Sequence, residues 1–300
     1  MQLDCGYCAN VHGSTHFIEG KGSVLISSIR IARKSQAAIL IGSATLAAFF
    51  LIAILAPWIA PNDPIQVNLA FKLSPPSLDY PLGTDHLGRC NLSRLLYGAR
   101  VSLGFASLIF VAALGFGLVI GTIAGYKGGV IDAVLMRFCE GVMAFPNLVL
   151  VLGIVGLLGP GLWQVVMALM MVQWVYYARM IRNMIVGLKE QNFILAARIS
   201  GSSTGKIIRR HMIPNVLPPV LVMGTLEMGW AIMDLSALSF LGLGVQPPTA
   251  EWGAMILEGK NFIRSQPELM LYPGIMILLV VISFNVLGEG LSEKYGIKKR

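Results

Sequence analysis

Long segments without a charged side chain constrain this chain more than any other feature of its sequence. Three intervals, 35–62, 101–126 and 269–288, contain no Asp, Glu, Lys or Arg. Each is long enough to cross a bilayer, because about 20 apolar residues in a helix span about 30 Å of hydrocarbon. A fourth uncharged interval, 141–178, is about twice that length. Its central stretch Gly156–Gly161 predicts a tight turn between two helices.

The hydrophobic segments predict an all-α polytopic membrane protein with six transmembrane helices. The predicted spans lie at about 36–60, 101–126, 141–158, 161–178, 214–245 and 269–288. The composition agrees, since 55% of the residues are hydrophobic and 13% are charged, which is outside the usage of soluble globular domains. We expect residues 35–290 to form the transmembrane domain, residues 1–34 to be a disordered cytoplasmic extension, and residues 291–300 to be a basic cytoplasmic tail.

Lys and Arg residues are distributed unevenly between the two sides of the predicted membrane domain. With six spans both termini lie on one side, and 17 of the 23 Lys and Arg residues fall on that side. Short cytoplasmic loops are enriched in these residues, so both termini are predicted to be cytoplasmic. This topology accounts for the net charge of +8, and no basic and aromatic motif indicates nucleic-acid binding. The first 20 residues lack the basic start and apolar core of a secretory signal.

A polar, basic block at residues 193–215 separates two of the predicted spans on the cytoplasmic side. Its residues predict a short helix at 193–200, a glycine-containing turn, and a second helical piece at 206–212 that ends before Pro214. The turn does not match a phosphate-binding loop, because its glycine spacing is one residue short and Ile207 occupies the position of the metal-binding hydroxyl. ATP binding is therefore not expected in this chain.

Seven residues of this block occur in the order and spacing of a known motif. They are Ala196, Ala197, Gly201, Ile207, His211, Pro214 and Asn215. The block resembles the cytoplasmic EAA loop of permease subunits of bacterial ATP-binding-cassette (ABC) importers, specifically the dipeptide, oligopeptide and nickel branch. Leu195 stands where the motif has an acidic residue. Further similar segments extend the resemblance over residues 36–295.

The resemblance implies a type I ABC importer permease in the bacterial inner membrane, with a loop that couples it to a separate ATPase. The residues assigned to ATPase coupling are Ala196, Ala197, Arg198, Gly201, Ile207, Arg210, His211, Pro214 and Asn215. The implied partners are a paralogous permease subunit, two ATPase subunits that bind ATP and Mg²⁺, and an extracytoplasmic substrate-binding protein. No cofactor is expected in this chain. The alternatives are an ATPase-independent channel, or a membrane enzyme, for which no nucleophile and base lie at compatible depth.

The segment Leu82–Leu103, before the second predicted span on the outer side, contains Asp85, Arg89 and Arg94. One interpretation is structural: Asp85 caps backbone amides, and the two arginines reach out to the membrane interface. The other interpretation follows from the resemblance and assigns these residues to contact with the external binding protein. Cys90 occupies a position that is acidic in the family.

Glu227 and Asp234 interrupt the fifth predicted span, where an acidic side chain costs about 2.5–3.5 kcal/mol on insertion scales. Seven residues separate them, so they share one face of a helix. Either they pair with polar groups of a partner subunit, or they line a translocation path for cationic cargo. The sequence around Glu227 and the segment Thr249–Gly253 resemble the nickel-type permease C subunit. The resemblance thus implies nickel or a metal chelate as cargo, with dipeptides or oligopeptides as the alternative.

Two cysteines and two histidines lie together near the amino terminus, at Cys5, Cys8, His12 and His16. Thiolates and imidazoles are typical zinc ligands. The spacing from Cys8 to His12 is too short for a classical zinc finger, and thiols stay reduced in the cytosol. We therefore favour an unstructured extension over a metal site.

Overall fold

The computed structural model describes the backbone of residues 15–295 and the side chains from residue 35 onward. The described chain is helical apart from its connecting segments and an isolated bridge between Thr84 and Cys90. The helices are α1 (Thr15–Ile59), α2 (Asn91–Lys127), α3 (Gly129–Met143), α4 (Asn147–Leu158), α5 (Leu162–Lys189), α6 (Asn192–Ile199), α7 (Thr204–Ile207), α8 (Ile213–Phe240), α9 (Trp252–Gly259) and α10 (Glu268–Lys294).

The helix α1 begins at Thr15, so the backbone of residues 15–34 is helical, whereas the sequence predicts a disordered extension there. Residues 1–14, with Cys5, Cys8 and His12, lie outside the described residues, as do the side chain of His16 and residues 296–300. The candidate zinc ligands therefore stay untested.

Four described helices are long and apolar enough to cross a membrane: α1 from Ser35, α2, the continuous helix Thr204–Phe240 and α10. The pair α3 and α4 forms a fifth candidate, bent by 88°. This bend corrects the single span predicted at 141–158, because Pro146 disfavours helical geometry in the residue before it.

The sixth predicted span coincides with the first part of α5. This helix is less apolar than the other five candidates, since it contains Gln164 and Gln173 and ends in a segment with Arg179, Arg182 and Lys189. Six spans therefore remain a prediction. The all-helical architecture is confirmed.

Glycines allow α2 to pack closely along α5. Gly117, Gly121 and Gly125 recur every four residues, so they lie on one face of α2. A Cβ atom added at Gly121 would lie 2.5 Å from the carbonyl oxygen of Ala178, and one added at Gly125 would lie 2.8 Å from Cβ of Ile185. Small residues at regular spacing let the backbones of membrane helices approach each other in this way.

The short helix α9 is anchored in the bundle by a buried tryptophan and a buried acid. Trp252 is fully buried, and its Nε1 donates a hydrogen bond of 3.1 Å to the carbonyl oxygen of Leu95. Glu251 is also fully buried; it accepts hydrogen bonds from the hydroxyl of Ser102 at 3.0 Å and from the amide of Ala254 at 2.9 Å. These hydrogen bonds hold the segment after α8 against the start of α2.

Candidate functional site

A cavity of about 580 Å³ lies between the junction of α3 with α4, the helix α5 and the helix α8. Glu227 and Asp234, both half-buried residues of α8, line this cavity together. Residues seven positions apart lie on one face of a helix, which explains why both reach the same space. The structure thus brings together the two residues that the sequence assigns to a translocation path.

Asp234 is held by two amide side chains from neighbouring helices. Its Oδ2 atom accepts hydrogen bonds from Nδ2 of Asn147, 3.2 Å away, and from Nε2 of Gln173, 3.4 Å away. Asn147 begins α4 and Gln173 lies in α5, so these partners belong to the same subunit. The sequence analysis missed both amides. The signal that marks them is an uncharged polar residue inside an otherwise apolar segment.

Glu227 has a different environment from Asp234. Its carboxylate forms no hydrogen bond or ion pair with any residue whose side chain the structure describes. Tyr176 of α5, and Trp230 one turn after Glu227, line the same cavity with 37% and 58% of their surface exposed. A carboxylate without a partner therefore shares a cavity with two accessible aromatic rings.

The block at residues 193–215 folds as α6, a turn and α7, and then continues through a wide helical turn at Ile208–Met212 into α8. Gly201 forms the turn after α6 with a φ of +76°. This left-handed conformation costs residues with a side chain about 1–2 kcal/mol. The glycine of the predicted coupling motif is thus placed where the backbone requires it.

Buried side chains fasten this block to the transmembrane helices. Ile194, Ile207 and Met212 are at most 1% exposed, and they form one apolar cluster with Ile181 and Ile185 of α5. The same cluster includes residues of the first turns of α8. Ile207 is one of the residues assigned to ATPase coupling, and its side chain is buried within this subunit. It anchors the block to the transmembrane helices.

The other residues assigned to coupling lie at or near the surface. Ala196, Arg198, Gly201, Arg210, Pro214 and Asn215 are exposed, and Ala197 and His211 are half-buried. Nδ2 of Asn215 donates a hydrogen bond of 2.6 Å to the carbonyl oxygen of His211, which stabilises the start of α8. The sequence analysis did not assign the apolar residues Phe193, Leu195 and Ile199, which are 44%, 40% and 88% exposed.

Four charged side chains form a buried network where the segment before α2 meets α9. Oδ2 of Asp85 lies 2.7 Å from Nε of Arg89 and 2.8 Å from Nη1 of Arg94. Oε2 of Glu258 lies 2.7 Å and 2.9 Å from the Nη2 atoms of the same two arginines. Both arginine side chains are 1% exposed, so the network is almost completely removed from water.

This network corrects part of the interpretation of the outer segment. Oδ1 of Asp85 accepts hydrogen bonds from the amides of Leu87 and Arg89, as the structural interpretation predicts. Arg89 and Arg94 are each 1% exposed and point into the network, not out to the membrane interface. The contact of this segment with an external binding protein stays a prediction. The sequence analysis missed Glu258, because it lies 169 residues from Arg89. Burial raises the pKa of the Glu258 carboxyl, and Arg89 opposes this shift.

A second ion pair connects α3 to α5. Nε of Arg182 lies 2.8 Å from Oδ1 of Asp132, and the second guanidinium nitrogen contacts Oδ2. Arg137 pairs with Glu140 at 3.1 Å, with side chains that are 86% and 50% exposed.

Comparison with known proteins agrees with this helical arrangement. The model of the family "Binding-protein-dependent transport system inner membrane component" matches residues 117–295. The chain belongs to this family. The model of the N-terminal transmembrane domain of oligopeptide transport permease C matches residues 30–76. The chain is therefore a membrane-embedded transport subunit of the dipeptide, oligopeptide and nickel branch of ABC permeases, and not an enzyme.

Curated relatives cover most of the chain. The dipeptide transport system permease protein DppC of Alkalihalophilus pseudofirmus is 40% identical over 87% of this chain and 86% of the relative. The nickel transport system permease protein NikC of Escherichia coli is 40% identical over 83% of this chain and 90% of the relative. The probable D,D-dipeptide transport system permease protein DdpC of Escherichia coli is 36% identical over 81% of this chain and 82% of the relative.

Among solved structures, the MetNI methionine ABC transporter in an inward-facing conformation contains a similar chain. The TM-score is 0.52 at 19% identity, over 69% of this permease and 98% of the MetNI chain. This similarity supports the ABC permease fold and carries no information about cargo.

Proposed function

We propose that this permease moves a small cargo that carries a positively charged group, a short peptide or a nickel chelate, through the cavity between α5 and α8. The observation that carries the proposal is a pair of carboxylates. Glu227 and Asp234 both belong to an otherwise apolar helix, and both line the same cavity. Acidic side chains at membrane depth are costly and line solute pathways in many membrane proteins. Relatives named as dipeptide and nickel permeases support this range of cargo.

The complete importer combines this chain with a paralogous permease, two ATPase subunits and an extracytoplasmic substrate-binding protein. Family membership supports the ATPase and binding-protein partners. The ATPase subunits bind ATP and Mg²⁺. The chain lies in the bacterial inner membrane with both termini in the cytoplasm, which the distribution of Lys and Arg supports.

The block at residues 193–215 couples the cavity to the ATPase. Its surface combines exposed apolar side chains, Phe193, Leu195 and Ile199, with the cation Arg198. Its buried side chains Ile194 and Ile207 pack against α5 and the start of α8, the two helices that carry most of the cavity wall. A displacement of the block by ATP-driven closure of the ATPases would therefore shift both helices together, as coupling between two sites requires.

A substitution at Gly201 tests the coupling. Gly201→Leu forces a residue with a side chain into a φ of +76°, which distorts the turn beside α6. We expect normal membrane insertion, loss of ATP-dependent uptake and loss of ATPase co-purification. Gly159→Leu is the matched control, because Gly159 has a φ of +87° and no heavy atom within 4 Å of an added Cβ, as at Gly201, but it lies in the turn between α4 and α5.

If Gly201→Leu keeps both the ATPase and transport, the coupling assignment is wrong. Uptake that continues when the partner ATPase is inactivated by mutation would instead favour the ATPase-independent channel.

A further inference from the structure

We propose that Glu227, Tyr176 and Trp230 form a binding subsite for an organic ammonium group of the cargo, such as the α-amino group of a short peptide. This inference rests on the proposed transport function and narrows its cargo class. It assigns different roles to the two carboxylates of the cavity. Glu227 contacts the cargo, and Asp234 is a structural residue of the cavity wall.

The hydrogen bonds of the cavity separate the roles of the two acids. Asp234 already accepts hydrogen bonds from Asn147 and Gln173, which compensate its removal from water. Glu227 is half-buried and has no such partner among the residues with described side chains. A carboxylate in an apolar helix without a compensating donor is stabilised when a cation binds to it. Glu227 is therefore the acid available to the cargo.

The aromatic residues beside Glu227 favour an ammonium group as that cation. Tyr176 and Trp230 line the same cavity, and both residues are partly exposed. Ammonium groups are attracted to the faces of tryptophan and tyrosine rings, more strongly where water is excluded. A carboxylate next to two accessible rings is the chemistry that recognises alkylammonium ligands in proteins. A cavity of about 580 Å³ has the size of a typical site for a small organic ligand.

The same cavity is poorly suited to a bare divalent metal ion. The backbone positions of Glu227 and Asp234 lie about 10 Å apart along the helix axis, whereas both ligand atoms of one ion must lie within about 2–2.6 Å of it. No His or Cys is among the residues that line the cavity in the described part of the chain. The described residues contain one group of three with metal-ligand spacing, Asp85, His86 and Glu258. That group lies elsewhere, and Arg89 and Arg94 occupy its two carboxylates.

Uptake by the complete importer in proteoliposomes tests the inference. The probes are radiolabelled alanyl-alanine and Ni²⁺ chelated by free histidine, supplied with the same binding protein to the wild type and to each variant. Differences between variants then arise in the permease. We expect Glu227→Gln to lower the rate of alanyl-alanine uptake at a subsaturating concentration by about tenfold or more, since it removes the charge and keeps the shape. Glu227→Asp should retain part of the activity.

Two further variants separate the subsite from general damage. Glu289→Gln makes the same chemical change at an exposed residue of α10 outside the cavity, and it should leave uptake unchanged. Trp230→Phe should preserve more uptake than Trp230→Leu, because phenylalanine keeps an aromatic face. Glu227→Gln removes an unpaired charge, so we expect it to assemble with the ATPase as well as the wild type does.

The possible results distinguish this inference from the proposed function. Alanyl-alanine uptake by Glu227→Gln at the wild-type rate would overturn the ammonium subsite while leaving ATP-driven transport intact. A wild-type importer that takes up Ni²⁺ but not alanyl-alanine would overturn it as well. Absence of ATP-dependent uptake of either probe by the assembled wild-type complex would contradict the proposed function itself.

Discussion

Replacement of Glu258 by glutamine should strongly destabilise the segment before α2. In the wild type, Asp85 and Glu258 balance the charges of Arg89 and Arg94, and both arginines are 1% exposed. Glu258→Gln leaves one net positive charge in this buried network and weakens two charged contacts, of 2.7 Å and 2.9 Å. Loss of one partner from a buried ion pair costs about 3–5 kcal/mol, so we expect a decrease of that size in the free energy of unfolding.

The measurement is equilibrium unfolding of the purified subunit in detergent, followed by tryptophan fluorescence. Trp252 lies in α9 with Glu258 and is fully buried, so its exposure on unfolding contributes to the change in fluorescence. The destabilisation should change little with added salt, because buried charges are poorly screened. Arg89→Gln combined with Glu258→Gln restores neutrality, and the double variant should be more stable than the sum of the single effects by about 0.5–3 kcal/mol.

Arg137→Gln is the matched control, since it breaks the exposed pair with Glu140 and should cost less than about 1 kcal/mol. The reasoning fails if Glu258→Gln destabilises the protein no more than Arg137→Gln does. It also fails if the double variant shows purely additive effects, because the two charges would then not interact.

Two further substitutions test contacts between helices. Gly121→Ala should destabilise the subunit by about 1–3 kcal/mol, because its Cβ would lie 2.5 Å from the carbonyl oxygen of Ala178. Gly115→Ala on the same helix is the control. Its Cβ would meet no heavy atom within 4 Å, so it should be neutral or slightly stabilising in the same unfolding assay. Asp132→Asn should lower the free energy of unfolding by about 1.5–3 kcal/mol, because it removes charged hydrogen bonds to Arg182. A smaller decrease than that caused by Arg137→Gln would contradict this contact.

Several elements of the fold could be predicted because their signals are local in the sequence. Long apolar segments predict the helices α1, α2, α8 and α10, and the polar, basic composition of residues 193–215 predicts a block outside the membrane domain. Pro146 was a weaker signal. Proline predicts an interruption of a helix, but the 88° bend between α3 and α4 depends on how both helices pack against α5.

The sequence predicts the boundaries of these helices less accurately than it predicts their existence. The helix α2 begins at Asn91, about ten residues before the predicted span, because a helix can continue beyond the hydrocarbon with polar side chains. The helix α8 ends at Phe240, whereas its span was predicted to extend to residue 245. Hydropathy measures the length of an apolar segment, and helix ends depend on caps and turns that hydropathy does not record.

The sequence by itself determined that this protein is a helical membrane permease, and it placed Glu227 and Asp234 on one face of a helix. The helical membrane architecture and the shared helix face follow from composition and the helical period, and the permease assignment follows from the resemblance of the motif at residues 193–215 to a known family. Only the tertiary structure decided which charges meet: Glu258 with Arg89 across 169 residues, and Asn147 with Asp234 across 87. Such pairs form because helices distant in the chain pack side by side, and no local pattern specifies which side chains that packing brings into contact.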